Sequence, residues 1–417
     1  MIFAYNLLII FYGCILNFIS FKNKKVKLMI DGRKNCFKYL NEHISSIDKI
    51  IWIHCSSMGE FEQARPLISK LKSKLTSHKI LVTFYSSSGY EAYKNYELID
   101  FKCYLPLDTK HNAKQFVKIV RPELTFFIKY DFWPNYLLEL QNQNLNHYII
   151  SAIFRNNQFF MKKSGRWMLQ ILKKVSHFFV QNEDSKYLLL TKNINKVTNA
   201  GDTRFDRVLD IIKKSESNPI IKEFKDVKPL FIGGSTWNKG EEMIFEFINH
   251  YKNKFKYIIA PHEINYKRLS EIEAKLNVKS IRYSHIKKQK LKNFDVILID
   301  KIGLLSSIYK YGDISYIGGG FGKGIHNTLE AACFGMPIFI GPNNSRFQEA
   351  KDLKKIGVAI EIKSCQKMIA FCDYLLTKSG EWEKIKNKSS NYVKDKTGAT
   401  EKIISKLFGN TYLSSKI

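Results

Sequence analysis

Short runs of β-branched and aromatic residues alternate with longer amphipathic stretches along nearly the whole chain, and the pattern occurs twice. In the first half the runs lie at residues 50–54, 79–84, 101–105, 123–128, 147–151 and 177–180. Alternation of this kind predicts βαβ units, and so a parallel sheet covered by helices on both faces. Between residues 210 and 229 the chain turns polar (Lys213, Lys214, Ser215, Glu216, Ser217, Asn218, Pro219), which marks a boundary. The pattern then restarts at 229–233, 256–260, 278–282, 294–300, 313–317, 337–340 and 358–362. The expected fold class is α/β, with two doubly wound Rossmann-like domains whose strand ends open onto a central cleft. The expected boundaries are a membrane anchor over residues 1–21, an N-terminal domain over 22–215, a C-terminal domain over 225–395, and a terminal helix over 396–417 that packs back toward the first domain.

Residues 2–19 carry Asn6 and Asn17 as their only strongly polar side chains, and eighteen helical residues reach about 27 Å, close to the thickness of a bilayer core. No basic segment precedes them and no small-residue cleavage site follows, which argues against a removable signal. Lys22, Lys24, Lys25, Lys27, Arg33, Lys34 and Lys38 come next, so the positive-inside rule places the rest of the chain in the cytoplasm. The alternative is a hydrophobic helix packed on the protein itself. Lys plus Arg total 67 against 38 Asp plus Glu, a formal charge of +29, which attracts nucleic acid, an anionic membrane face or phosphorylated substrates. A skewed composition rich in Lys, Asn, Ile, Tyr and Phe explains the excess equally well. Apolar residues at 45% and charged residues at 25% exclude a disordered or polytopic chain. Seven scattered cysteines form no C-x-x-C pair, which fits a reducing compartment and gives no metal spacing.

In the first half, the run ending at His54 enters Cys55-Ser56-Ser57-Met58-Gly59-Glu60 and then a helical stretch. The small residues permit a tight turn, and Glu60 falls in the first helical turn, where the dipole favours a charged carboxylate. Glu60 is thus a candidate general base, or simply a residue that stabilises its helix start. The run ending at Ile128 leads into Lys129-Tyr130-Asp131-Phe132-Trp133-Pro134-Asn135, a strand end followed by a Pro-initiated helix. Arg204 is placed either to clamp an anion or to pair with Asp202 or Asp206.

In the second half, Gly233-Gly234-Ser235-Thr236 ends a strand ahead of a helix, so that N–H groups and hydroxyls converge on an anion. Residues 318–324 hold five glycines in seven, and a helix is expected to follow whose early turns carry Asn327 and Glu330. A carboxylate one turn from such a loop is placed to accept the hydroxyls of a ribose. The chain contains no G-x-x-x-x-G-K-[ST], no G-x-G-x-x-G after its first strand and no Asp-x-Asp pair. The pattern therefore favours a phosphate neutralised by helix N-termini and basic side chains, with no metal or cofactor.

Taken in order, these segments resemble the family of 3-deoxy-D-manno-octulosonic acid (Kdo) transferases, membrane-anchored glycosyltransferases of two-domain GT-B architecture. The resemblance runs through the anchor, Ser57-Met58-Gly59-Glu60, Phe132-Trp133-Pro134-Asn135, residues 201–206, Gly233-Gly234-Ser235-Thr236, Ala260-Pro261-His262-Glu263, residues 318–330 and residues 341–347. It implies CMP-Kdo as donor, the acylated glucosamine disaccharide precursor of lipid A as acceptor, and a place on the cytoplasmic face of a bacterial inner membrane with its anionic surface. It implies Glu60 as base, with Ser57 and Gly59 beside the acceptor, and Arg204 with Lys129 or Asp131 stabilising the transition state. For the donor it implies Ser235, Thr236, Pro261, His262, Ile302, Gly303, Leu304, Gly320, Gly324, Asn327, Thr328, Leu329 and Glu330. The chain departs from the family pattern where Lys129-Tyr130-Asp131 replaces Glu-Thr-Glu, where Pro261 replaces Arg, and where Arg204 replaces Lys. Proline at position 261 carries no charge for the phosphate, and Lys239 or Arg268 would then supply it. A sugar-nucleotide epimerase of the same architecture is the rival enzyme, and a membrane-tethered nucleic-acid binder the rival from another class; no specific nucleic acid is expected as a partner.

Overall fold

The structure, a computed structural model, describes residues 1–92, 96–286 and 290–409. Two compact units divide the chain. Unit 1 is Met1–Arg207 together with the segment from Thr397, and unit 2 is Val208–Lys396.

Unit 1 is built on seven parallel strands, β1 (Lys49–Cys55), β2 (His78–Phe84), β3 (Phe101–Tyr104), β4 (Pro122–Ile128), β5 (Asn146–Ala152), β6 (His177–Val180) and β7 (Val197–Asn199), in the order β3-β2-β1-β4-β5-β6-β7. Side chains of β1 alternate between two cores. Ile51, Ile53 and Cys55 pack with Phe61, Leu67 and Ile68 of the helix Met58–Lys74, while Ile50 and Trp52 pack with Phe116, Phe127 and Tyr136. A parallel strand covered on both faces reads as an unbroken apolar run, which is why β1 is legible in the sequence. The last three-residue strand, β7, is too short to produce such a run.

The helix Ala399–Phe408 returns to unit 1 and places Ile403 and Ile404 in the Phe61 core. Asp206 holds its start, accepting from the backbone N–H groups of Gly398 and Thr400 and from Thr400 Oγ1, each at 2.6 Å. Residues 410–417 of the expected terminal helix lie outside the described residues. The polar stretch read as a boundary is folded into two helices, Thr203–Lys214 and Pro219–Lys225.

Unit 2 repeats the architecture with β8 (Leu230–Thr236), β9 (Lys256–Pro261), β10 (Ser280–Arg282), β11 (Val296–Leu298), β12 (Ile314–Ile317), β13 (Ile338–Ile340) and β14 (Ala359–Glu361), in the order β10-β11-β9-β8-β12-β13-β14. The strand order reverses between β1 and β4 in unit 1 and between β8 and β12 in unit 2, where it also turns back at the edge, with β11 between β9 and β10. Open α/β sheets hold ligands at that reversal, beyond the carboxyl ends of the strands. The helix expected after the glycine loop is short, Leu329–Ala332, and Asn327 lies ahead of it. Asn327 Oδ1 accepts the Leu329 N–H at 3.1 Å, a side-chain cap on a first-turn donor made from just outside the helix.

Candidate active site

In unit 1 the loops after β1 and β4 converge at the strand-order reversal. Glu60 is the third residue of the helix Met58–Lys74 and closes a capping box, its Oε2 accepting the Ser57 N–H at 3.2 Å. Its side chain is only 9% exposed. Burial and the nearby Asp131 carboxylate push its pKa up to about 7, against the opposing pull of the Lys129 cation and the Ser56 and Ser57 N–H groups. Glu60 therefore holds its helix start, one of the two roles the sequence left open, and carries a carboxyl whose pKa is raised to near neutrality. A Cβ added at Gly59 would meet nothing within 4 Å, so the first turn beside Glu60 is open.

Asp131 accepts from Ser56 Oγ and lies 3.3 Å from His54 Nε2. His54, fully buried at the end of β1, is a residue that sequence reasoning missed; a lone polar side chain in an apolar strand was the available signal. Trp133 Nε1–H donates to His54 Nε2 at 3.0 Å, so the imidazole proton sits on Nδ1, facing Thr83 Oγ1 at 2.9 Å. Trp52 Nε1 donates to the same hydroxyl at 2.8 Å. Lys129, the residue after β4, takes a φ of 63°, a left-handed conformation at the same edge. Arg204 pairs with Asp202 through Nε at 2.8 Å and Nη2 at 2.7 Å, while Asp206 serves the C-terminal helix. Burial alone would raise Asp202; Arg204 and the Gln63 amide more than offset it and hold the carboxyl below its ordinary value.

In unit 2 a cavity of about 900 Å³ opens at the β8/β12 reversal, lined among others by Thr236, Lys239, Lys267, Arg268, Lys323, Gly324 and His326. Four cationic side chains and the first residues of the helix Asn238–His250 give it the character of an anion site. Thr236 Oγ1 donates to the buried Glu241 at 2.7 Å, and Glu241 also pairs with Arg268, so the Thr236 hydroxyl is directed into the protein. Ser235 takes a positive φ of 50° at a register shift between β8 and β9.

His262 stacks on Trp237 at 4.7 Å and on His326 at 4.4 Å, and Trp237 Nε1 donates to His326 Nε2 at 3.0 Å. Burial, aided by His262, lowers His326 to about pKa 4, which keeps the His326 ring neutral near pH 7. Sequence reasoning assigned His262 but gave Trp237 and His326 no role.

The glycines of the loop divide by cause. A Cβ on Gly318 would stand 1.9 Å from Ser235 O, and one on Gly320 would stand 2.7 Å from the Gly341 backbone, so backbone packing demands both. At Gly322 the nearest atom would be 3.7 Å away. Gly320 is buried against Gly341 and does not line the cavity, whereas Gly324 does. Glu330 accepts from Ser306 Oγ at 2.8 Å and Asn327 Nδ2 at 3.0 Å, while Thr328 and Leu329 are buried beside it. Pro261 ends β9. Ile302, 91% exposed, Gly303 and Leu304 lie in a loop outside the cavity lining. Among the described residues no three His, Cys, Asp or Glu side chains gather as a metal site.

Residues 31–207 match the family described as 3-deoxy-D-manno-octulosonic-acid transferase (kdotransferase). The 3-deoxy-D-manno-octulosonic acid transferase of Aquifex aeolicus is 26% identical over 345 residues, 81% of this chain and 88% of that relative. A bifunctional glycosyltransferase/methyltransferase of Fusobacterium nucleatum is 26% identical over 82% of this chain, which spans 54% of that longer protein. In fold, UDP-GlcNAc 2-epimerase from Neisseria meningitidis aligns with a TM-score of 0.60 at 16% identity, covering 87% of this chain and all of the other. Along four-fifths of its length the chain is thus similar to 3-deoxy-D-manno-octulosonic acid transferases, and it carries two doubly wound domains of GT-B type.

Proposed function

We propose that the protein transfers Kdo, with inversion, from CMP-Kdo to a sugar hydroxyl of the lipid A precursor in lipopolysaccharide synthesis, at the cytoplasmic face of a bacterial inner membrane. The observation that carries this reading is Glu60: an accessible first helical turn at the strand-order reversal, with a carboxyl raised to about 7. Such a group accepts a proton near neutral pH, and ordinary carboxylates do so poorly. In the proposed step the acceptor hydroxyl gives its proton to Glu60 as its oxygen bonds to the anomeric carbon. The bond from that carbon to the phosphate oxygen breaks, and CMP leaves with the electron pair.

The leaving phosphate is assigned to the basic cavity of unit 2, where Lys239, Lys267 and Lys323 replace the charge that Pro261 does not supply, while Arg268 is paired with Glu241 and Glu271. The stacked column of Trp237, His262 and His326 offers a flat face for the donor. Lys129 supplies positive charge near the base, Asp131 raises the proton affinity of Glu60, and Arg204, paired with Asp202, keeps the stabilising role that the resemblance implies for it.

The test is incubation of the purified protein with CMP-Kdo and the lipid A precursor, comparing wild type with Glu60→Ala. Sugar addition by the wild type alone is expected. Equal addition by both would remove Glu60 from its role, and no addition by a folded wild type would remove the substrates. Turnover of the nucleotide sugar without acceptor would favour the epimerase reading instead.

A further inference from the structure

The helix Ile2–Ser20 is long and apolar enough to cross a membrane, with a mean hydropathy of 2.0. One stripe of it is nevertheless fastened to unit 1 from end to end. Tyr5 Oη donates to Asp108 Oδ2 at 2.7 Å, and Asn6 Oδ1 accepts from Asn135 Nδ2 at 2.8 Å. Tyr12 Oη accepts from Tyr85 Oη at 2.6 Å, a Cβ on Gly13 would stand 2.9 Å from Leu107, and Leu16 is buried. Positions 5, 9, 12, 13 and 16 share one helical face. Asp108, 1% exposed, also accepts the N–H groups of Asn135 and Tyr136, so the early part of the helix is tied to the start of the helix Pro134–Asn142. The other face shows Phe3, Leu7, Ile10, Phe11 and Phe18 to solvent, Phe3 and Phe18 at 72% and 75%.

Fifteen residues separate Tyr5 from Ser20, about 22 Å of helix. Were the helix upright across a bilayer, Tyr5 would draw Asp108, Asn135 and their polar backbone into hydrocarbon, where nothing replaces water. Were it pulled free instead, Asp108 and Asn135 would lose partners they hold in the fold.

We propose that this helix lies in the plane of the bilayer surface, its fastened stripe on unit 1 and its Phe3 to Phe18 face among the acyl chains, on an anionic membrane. Charge complementarity selects that occupant. Lys22, Lys24, Lys25 and Lys27 are exposed beyond one end of the helix. Near the other end, Tyr5 stands 5.7 Å from Trp167, in the segment that exposes Lys162, Lys163 and Arg166. Cations at both ends suit a helix with both ends at one interface; a spanning helix would carry one set to the far side. Tyr85 also stacks on Trp133 at 5.1 Å, and Trp133 bonds His54 beside Asp131. The lipid surface and the Glu60 edge of unit 1 are thereby linked through four side chains. The proposal goes beyond the transfer reading and stands or falls without it.

The test places a short uncharged tag with a protease site ahead of Met1 and isolates inverted inner-membrane vesicles. Cleavage of the tag without detergent, to the same extent as with it, is expected. Protection until detergent is added would overturn the proposal, and so would a chain that leaves the membrane as a soluble self-associated species. A second arm measures partition of the purified chain onto phosphatidylglycerol vesicles after Lys22, Lys24, Lys25 and Lys27 are changed to Gln. A fall of about two to three orders of magnitude at low salt is expected, and unchanged partition would refute the anionic occupant.

Discussion

Glu60 closes a capping box and also carries a raised proton affinity, and the two roles respond differently to substitution. With a pKa of about 7 set by burial and Asp131, the base is ionised above neutrality and protonated below it. Sugar transfer is therefore expected to rise about tenfold per pH unit up to 7 and to level off above, measured as initial rate against pH. Glu60→Gln keeps an acceptor for the Ser57 N–H but removes the base, so it should fold and lose roughly 10²- to 10⁴-fold in rate. His54 lies behind this pair without a motif of its own. Its chemistry depends on which groups surround it in three dimensions, Trp133, Thr83 and Asp131, and those come from β2 and the loop after β4. No spacing in one sequence could display that.

Packing of loops and helices sets the next level. The glycine loop was legible as a loop, and its cause only in part, because Gly318 and Gly320 serve backbone contacts with Ser235 and Gly341. Gly320→Ala should therefore lower the thermal midpoint sharply, whereas Gly322→Ala should leave it within a degree or two; thermal unfolding followed by circular dichroism distinguishes them. Strands were readable wherever burial on both faces gave an apolar run, as in β1 and β4. The three-residue β7 at the sheet edge was invisible for want of one, and the helix after the glycine loop begins only at Leu329, with Asn327 ahead of it capping that N–H. Asp206→Ala removes three acceptor bonds from the start of the helix Ala399–Phe408. A loss of about 2–4 kcal/mol and faster proteolysis at the C-terminal helix are expected.

Across the molecule, four buried or half-buried titratable groups oppose one another. Burial lowers His177 and His326 to about 4, while burial raises Asp108 to about 6 and, with Asp131, Glu60 to about 7. Between about pH 4.5 and 6 the unfolded chain gains two histidine protons relative to the fold, and the fold holds two carboxyl protons that the unfolded chain releases. Burial lowers the pKa of His147 as well, so the histidines outweigh the carboxyls and the thermal midpoint should fall modestly on acidification through this window. Glu60→Gln removes one of the fold's protons: the variant should lose up to about 1 kcal/mol per pH unit on acidification through that window and be more stable than wild type above pH 7.

The fastened N-terminal helix has a consequence for biosynthesis. Its partners Asp108 and Asn135 lie 103 and 129 residues downstream of Tyr5 and Asn6. At translation rates of about 5–20 residues per second, the apolar segment leaves the ribosome on the order of ten seconds before the surface that receives it exists. During that interval lipid is the solvent best suited to it, so contact with the bilayer would precede completion of the first unit, and the rest of that unit would fold against a membrane already in place.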